Sequence, residues 1–335
     1  MPGVVGSIAL IAVATLVIWK GSAYFEQSAE RLSKHYGLPV AVHGAVVVAV
    51  GSSFPELSSI VISTVVHGEF SLGVGAIVGS AIFNLLVIPG LSAIFSESLD
   101  SNRSLVLRDT QFYIISVLLL FVVFALGATY VPGGTNRAAI LTPELAVLLL
   151  ATYAVYLFLH QQDASGYVGD DAPAVSPRRE WGILAVALLV IAAGVEGIVR
   201  GALSLGETFG TPSFLWGLTV IAAATSLPDA FVSVSAAQND DSVTSLTNVL
   251  GSNTFNILVA IPVGVLLAGS ATIDFLVAVP TMGFLGLATL VFIVFARTGL
   301  ELTDWEAYGF LGLYGVFLVW ITLESIGVIE TVQGI

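Results

Sequence analysis

The amino-acid sequence predicts an all-α membrane protein with ten transmembrane helices, arranged as two inverted five-helix repeats. Three observations predict this fold class. The 335 residues are 56% hydrophobic and only 10% charged, with a mean hydropathy of +0.98, which lies outside the range of soluble globular domains. Apolar stretches of about twenty residues, the length that spans a bilayer core, recur along nearly the whole chain. A pair of short motifs also occurs in both halves, in the same order.

The first half contains five of the predicted spans. The stretch nearest the N-terminus lacks a basic n-region, and no convincing signal-peptidase site follows it before Lys20, so we interpret it as a retained helix. The five spans run from Val4 to Trp19, Val40 to Val66, Leu72 to Phe95, Phe112 to Tyr130 and Ile140 to Leu159.

The second half contains the other five spans. Between the halves lies a polar segment with Gly, Pro, Asp and Ser, too short for another domain. We therefore predict a first repeat over residues 1–160, a cytoplasmic linker over 161–180 and a second, inverted repeat over 181–335. The spans run from Trp181 to Leu203, Phe214 to Ala236, Leu246 to Leu267, Phe275 to Phe295 and Trp305 to Leu323.

The composition limits the chemistry that the chain can perform. Cysteine is absent, so disulfides and thiolate metal sites are excluded, and a metal ion must be held by oxygen or histidine. The net charge of -13 could concentrate cations near a pore mouth, although an acidic, solvated surface is the simpler interpretation. We expect no nucleic-acid partner, no obligate protein partner and no resident cofactor.

The basic residues are distributed unevenly between the two sides of the predicted membrane. The connections between consecutive predicted spans are numbered from the N-terminus, and odd-numbered connections share one side of the membrane. Only Arg137 and Arg200 fall on the opposite side. By the positive-inside rule, the odd connections are cytoplasmic, and both termini of this multi-pass cell-membrane protein lie outside. The odd connections hold Lys20, Arg31, Lys34, Arg103, Arg108, Arg178, Arg179 and Arg297.

The internal repeat consists of two matched blocks. The segment from Gly37, GLPVAVHGAVVVAVGSSFPE, aligns without gaps on the segment from Gly210, GTPSFLWGLTVIAAATSLPD. Downstream, GSAIFNLLVIPG from Gly79 matches GSNTFNILVAIPVG from Gly251. Five helices per copy is an odd number, so the second copy must enter the membrane from the opposite side. Inverted repeats with a binding site at their interface are typical of secondary transporters.

Each repeat places one acid deep within an apolar span. An ionised carboxylate there costs roughly 2.5 to 3.5 kcal/mol on insertion scales, and no Lys or Arg lies near the middle of any predicted span to pair with Glu56 or Asp229. Pro55 and Pro228 precede the acids, and each is expected to disturb the helix and free backbone carbonyl oxygens. The two acids are therefore predicted to bind a cation.

Hydroxyl and amide groups accompany the acids at a helical spacing. Residues four apart share a helix face, so four such faces directed at one centre would form a cage of oxygen ligands. Ca²⁺ takes six to eight oxygen ligands in flexible geometry, and Na⁺ uses the same ligand types. The spaced pairs are Ser52 with Glu56, Ser80 with Asn84, Thr225 with Asp229, and Ser252 with Asn256.

These motifs resemble the two alpha repeats of the cation/calcium exchanger superfamily, which carry G-S/T-S-x-P-E/D followed by G-S-x-x-x-N/D. The matching segments are VGSSFPELSSIVIS with IVGSAIFNLL, and AATSLPDAFVSVSAAQ with VLGSNTFNIL. The resemblance implies a ten-helix transporter that exchanges Na⁺ for Ca²⁺ by sliding its first and sixth helices across the core. It implies these ion ligands: Ser52, Ser53, Glu56, Ser80, Asn84, Thr225, Ser226, Asp229, Ser252 and Asn256.

Two positions depart from the family pattern. Asp229 stands where many members have Glu, and Asn256 stands where some have Asp. Some features resemble the potassium-dependent sodium/calcium exchangers, in which an Asp at the Asn256 position is tied to K⁺ use, so the resemblance does not imply K⁺ transport here.

Three functions are compatible with a pair of membrane acids. The main hypothesis is a Na⁺/Ca²⁺ antiporter, with Ca²⁺ and Na⁺ as transported ions and the bilayer as surroundings. The second is a H⁺/Ca²⁺ antiporter of the same fold, although the GN-x-x-E motifs of proton-coupled members are missing. The third is an intramembrane aspartyl protease, in which two acids act as general acid and base, but its usual GxGD and YD signatures are missing.

Overall fold

The structure, a computed structural model, describes residues 3–36, 49–96, 99–100, 103–131, 138–163, 176–297 and 301–325. Most of these residues are helical. In the first half the helices are α1 (Val4–His35), α2 (Ala49–Ser52), α3 (Phe54–Val65), α4 (Phe70–Phe95), α5 (Arg103–Thr129) and α6 (Pro143–Asp163). In the second half they are α7 (Pro177–Phe209), α8 (Ser213–Trp216), π1 (Gly217–Ile221), α9 (Ala222–Gln238), α10 (Ser242–Phe255), π2 (Asn256–Ala260), α11 (Ile261–Ala268), α12 (Phe275–Arg297) and α13 (Asp304–Ser325).

The helices account for the predicted membrane spans. Eight helical segments in the described part of the chain are long and apolar enough to cross a membrane, and two shorter apolar helices, Phe54–Val65 and Pro143–Leu159, lie at the other two predicted spans. An all-α membrane protein is therefore confirmed. The start of the second predicted span, at Val40, lies outside the described residues.

The first helix is much longer than its predicted span. Its apolar run stops at Trp19, but α1 continues to His35, because Phe25, Ala29 and Leu32 still provide one buried face. At 1.5 Å per residue this helix is about 48 Å long, which exceeds the bilayer core. Placing the start of the first connection at Lys20 was therefore wrong, and the basic residues assigned to that connection lie on α1.

Two small sheets were not predicted. Strand β1 (Leu99–Asp100) pairs antiparallel with β4 (Glu301–Leu302), and β2 (Ala138–Leu141) pairs antiparallel with β3 (Ala271–Asp274). The fifth predicted span therefore does not begin at Ile140, which lies in β2; its helix begins at Pro143. Pairing satisfies backbone groups where the chain leaves a helix, and each sheet joins one half of the chain to the other.

Helix α4 forms the centre of the fold. It is apolar all round and buried over most of its length, with neighbours on every side, as expected for a helix without a solvent- or lipid-facing stripe. Gly79 lets α4 approach π1, because a Cβ atom there would overlap the carbonyl of Leu218. Close contact of this kind brings the two motif segments together.

Helices α1 and α7 form an antiparallel pair beside this core. Along their contact, Ser7 donates to Ser204 at 3.1 Å, while a Cβ atom at Gly194 would lie 2.7 Å from Ile18. Residue numbers thus rise along α1 as they fall along α7. Small residues let the two backbones approach closely, as at many membrane helix interfaces. Near the far end, Arg31 on α1 pairs with Glu180 on α7 at 3.5 Å.

Candidate functional site: a buried cluster of acids, hydroxyls and amides

All ten predicted ligand residues are buried inside the helix bundle. Each has an exposed fraction of 0%, which is unusual for carboxylates in particular. Ser80 and Asn84 lie on α4, and the other eight lie on segments that pack around it. The ten are Ser52, Ser53, Glu56, Ser80, Asn84, Thr225, Ser226, Asp229, Ser252 and Asn256.

The two acids sit on different backbones. In the first half the helix is interrupted at Ser53, and Glu56 lies in the first turn of α3, where backbone N–H groups favour negative charge. In the second half Pro228 lies inside a continuous α9, and the irregularity is the π-helix π1, which ends about two turns before Pro228. The disturbed helix expected before each proline is therefore a break in one copy and a wide turn in the other.

Glu56 is surrounded by hydroxyl groups. Ser80 donates to its Oε1 at 3.4 Å, and Ser226 donates to the same atom at 3.3 Å. The hydroxyl of Thr225 instead donates to the carbonyl of Ile221 at 3.0 Å. Glu56 Oε2 has no hydrogen-bond partner among the described residues.

Asp229 has a matching environment that includes an amide. Ser252 donates to its Oδ2 at 2.6 Å, and Asn84 donates to the same atom at 3.2 Å. Ser52 also interacts with this carboxylate. Asp229 Oδ1 has no hydrogen-bond partner in the described part of the structure.

Two serine pairs cross from one half of the chain to the other. The hydroxyls of Ser53 and Ser252 are 2.7 Å apart, and Ser226 donates to Ser80 at 2.8 Å. In the sequence alignment Ser53 corresponds to Ser226, and Ser80 corresponds to Ser252. The two contacts are therefore the same contact made twice, once in each direction between the halves.

Asn256 does not join this hydrogen-bonded network. Neither its Oδ1 nor its Nδ2 has a partner among the described residues, although the side chain is buried. The second motif copy has one more residue between its Asn and its Pro than the first, Asn256 to Pro262 against Asn84 to Pro89. That extra residue coincides with the wide turn π2, which begins at Asn256, whereas Asn84 lies in an uninterrupted α4.

A different asparagine binds Asn84 instead. Asn84 donates to Asn253 Oδ1 at 3.1 Å, and Asn253 donates to the carbonyl of Ala81 at 3.2 Å. Sequence reasoning missed Asn253, although one signal was present: this polar residue replaces Ala81 in the matched motif. Asn248 was also missed; it accepts a 3.5 Å bond from Ser52 and donates to Ser233 at 3.0 Å.

The site has more acceptor atoms than donors. One oxygen of each carboxylate and the Oδ1 of Asn84 have no donor, and in the described part of the chain no ion pair reaches Glu56 or Asp229. Two buried negative charges without a basic partner are costly unless a cation compensates them. Carboxylate, amide and hydroxyl oxygens are ligands for hard cations such as Ca²⁺. The arrangement therefore suits a cation with an all-oxygen shell.

Comparison with known proteins identifies the family. The family model described as "Sodium/calcium exchanger protein" matches the chain twice, over residues 6–160 and 179–323. The chain belongs to this family. The family is one of transporters, and this exchanger is a multi-pass membrane protein of the cation/Ca²⁺ exchange type.

Relatives of this exchanger match nearly the whole chain. A sodium/calcium exchanger of Methanosarcina acetivorans is 28% identical over 348 residues, covering 93% of this chain and 97% of its own. An uncharacterized membrane protein of Methanocaldococcus jannaschii is 27% identical over 302 residues, covering 89% and 92%. The solved sodium-calcium exchanger NCX_Mj, soaked with Na⁺ and Sr²⁺, has a TM-score of 0.65 and 25% identity, covering 94% and 98%.

Proposed function

We propose that the protein is a secondary active antiporter that exchanges Na⁺ for Ca²⁺ by alternating access at the cluster around Glu56 and Asp229. The observation that carries the proposal is the pair of fully buried carboxylates, each with an unpaired oxygen and each surrounded by hydroxyl and amide groups. The ten residues predicted as ligands hold the ions. The names of the relatives in Methanosarcina acetivorans and NCX_Mj support the choice of Na⁺ and Ca²⁺.

Charge balance at the site couples the transport of Na⁺ to the transport of Ca²⁺. Two carboxylates neutralise one Ca²⁺ or two Na⁺, so either load leaves little net charge buried. The empty site would retain two uncompensated charges, and moving it across the low-dielectric bundle would cost free energy. The site is therefore refilled before it changes sides, which makes exchange obligatory. Its place at the interface of the two repeats is near the bilayer midplane in this proposal.

The two halves act as inverted repeats with boundaries at residues 1–160, 161–180 and 181–335. The double match of the family model, the exchanged serine contacts and the two cross-half sheets support this division. Helices α1 and α7 are the moving pair, since they are matched elements that pack antiparallel through small residues. Both termini lie outside the cell, and the proposal includes no obligate protein partner besides the ions and the bilayer.

Two alternatives remain to be distinguished by experiment. A H⁺/Ca²⁺ antiporter would use the same fold and the same two acids, with protons in place of Na⁺. An intramembrane protease is disfavoured by membership in a family of transporters. The match of 41% over 101 residues to human sodium/potassium/calcium exchanger 4, which covers 30% of this chain, makes K⁺ a third ion to test.

Ca²⁺ flux into proteoliposomes tests the proposal. With Na⁺, K⁺ and H⁺ gradients imposed one at a time, we expect an outward Na⁺ gradient to drive Ca²⁺ uptake and a K⁺ or pH gradient alone to have little effect. Uptake that follows the pH gradient and ignores Na⁺ would replace the proposal with the proton-coupled antiporter.

A further inference from the structure

A cavity of about 410 Å³ lies between α1 and α9, beside the buried site. Its α1 wall is formed by Trp19, Ala23 and Glu26, and its α9 wall includes Pro228, Phe231 and Ser235. Both sets are spaced so that they share a helix face. Trp19 and Phe231 stack across the cavity with ring centroids 4.7 Å apart. The cavity therefore reaches the residue that immediately precedes Asp229.

Glu26 is the acid in this cavity, and no ion pair joins it to a basic side chain among the described residues. Its Oε1 is shielded from solvent and has no hydrogen-bond partner among the described residues. The basic side chains along the same helix interact elsewhere: Arg31 with Glu180, Lys34 with Glu30, and Lys20 over the ring of Trp19 at 4.7 Å. The charge of Glu26 is thus available to a cation.

Glu26 also lies beside the main site. The cavity that it lines with Trp19 and Ala23 borders Pro228, the residue before Asp229. Two carboxylates on neighbouring helices repel each other when no cation is present, and a cation between them would relieve this repulsion. The second half has no equivalent acid, because Gly206 occupies the position that matches Glu26 when Lys20 is aligned with Arg200.

We propose that Glu26 is an accessory cation-binding carboxylate, which holds a Ca²⁺ or Na⁺ ion in the cavity between α1 and α9 on its way to Asp229. The inference rests on the proposed function for its role in transport. Its negative charge raises the local cation concentration and speeds loading of the site. Glu26 is not part of the cluster around Glu56 and Asp229, so it does not take part in the final coordination.

The first test compares Glu26→Gln with Glu30→Gln in Ca²⁺ uptake. Glu30 is a matched control, since it lies one turn further along α1, is exposed and pairs with Lys34 at 2.7 Å. At low ionic strength we expect E26Q to raise the half-saturating Ca²⁺ concentration about 3- to 10-fold with the maximal rate nearly unchanged, and E30Q to have little effect. High salt should reduce the difference. Equal behaviour of the two variants would overturn the inference.

The second test uses the absence of cysteine from the chain. In Glu26→Cys, a negatively charged methanethiosulfonate reagent should restore the low half-saturating Ca²⁺ concentration, and a positively charged one should raise it further. Ca²⁺ should slow both reactions. Identical effects of the two reagents would indicate a steric or structural role and contradict the proposal.

The proposed exchange and the proposed accessory site can be tested independently. If the wild type lacks Na⁺-driven uptake, the proposed exchange is wrong. The accessory site can then still be tested by measuring how much Ca²⁺ raises the thermal stability of E26Q and of E30Q. A weaker Ca²⁺ stabilisation in E26Q alone supports the accessory site, whereas the same stabilisation in both variants overturns it.

Discussion

The two copies of the downstream motif have nearly the same sequence but different structures. In the first copy, Asn84 lies on an uninterrupted α-helix and donates both to Asp229 and to Asn253. In the second copy, Asn256 begins a π-helix, and its amide has no hydrogen-bond partner among the described residues. A single additional residue before Pro262 accompanies this difference. Equivalent positions in a repeat therefore need not make equivalent contacts.

The serine contacts show the opposite behaviour. Ser53 with Ser252 and Ser226 with Ser80 are equivalent contacts, and both are present at nearly equal distances, 2.7 and 2.8 Å. Ser53 lies at the break before α3, whereas Ser226 lies inside α9, so the two serine contacts are equivalent although these backbones differ. In the downstream motif, Ser80 and Ser252 both lie in regular α-helix, and the symmetry is lost at π2.

The largest expected effect comes from the acids. Glu56→Gln and Asp229→Asn should each lower Na⁺-driven Ca²⁺ uptake by about 100-fold or more, because one remaining charge cannot balance a buried Ca²⁺. Both substitutions preserve side-chain size, so we expect both variants to elute as folded protein in size-exclusion chromatography. Near-normal uptake in one variant would mean that the two halves do not contribute equally.

Substitution of Asn84 and of Asn256 distinguishes an effect on ion binding from an effect on the stability of the ion-free protein. Asn84→Ala should destabilise the ion-free protein by about 1 to 3 kcal/mol, because it removes one of the donors to Asp229 and leaves Asn253 Oδ1 without its donor. Asn256→Ala should leave ion-free stability nearly unchanged, because no described hydrogen bond is lost. If both amides ligate the ion, both variants should weaken Ca²⁺-dependent thermal stabilisation.

Thermal unfolding with and without Ca²⁺ measures both effects in the Asn84→Ala and Asn256→Ala variants. Asn239→Ala, which removes an exposed amide, is the matched control. Equal ion-free destabilisation by the Asn84 and Asn256 substitutions would contradict the difference between the two helices. Unchanged Ca²⁺ stabilisation in Asn256→Ala would remove this residue from the proposed ligand set.

The smallest expected effect distinguishes two equivalent serines. Ser252 is 2.6 Å from Asp229, whereas Ser80 is 3.4 Å from Glu56. Bonds to charged acceptors are stronger when short, so Ser252→Ala should reduce Ca²⁺ uptake several-fold and Ser80→Ala by about half that factor. Initial uptake rates at sub-saturating Ca²⁺ measure both, and a larger effect of Ser80→Ala would contradict the asymmetry.

The sequence by itself determined the class of protein and supplied the candidate members of the site. Hydropathy alone requires a membrane protein. The ten candidate residues were chosen from motifs and from their spacing along each helix, and all ten are buried in the structure. Spacing and composition are local properties, so they can be read from the sequence without knowledge of the fold. The positions of Glu56 and Asp229 in matched motifs were found in this way.

Only the tertiary structure decided which side chains meet. Asn253 joins the network and Asn256 does not. Glu26 shares a cavity with Pro228, the residue before Asp229, because α1 continues well beyond its apolar run. These outcomes depend on the path of the backbone after an inserted residue and on how helices distant in sequence pack. Local patterns carry neither kind of information, since packing against another element decides which face of a helix turns inward.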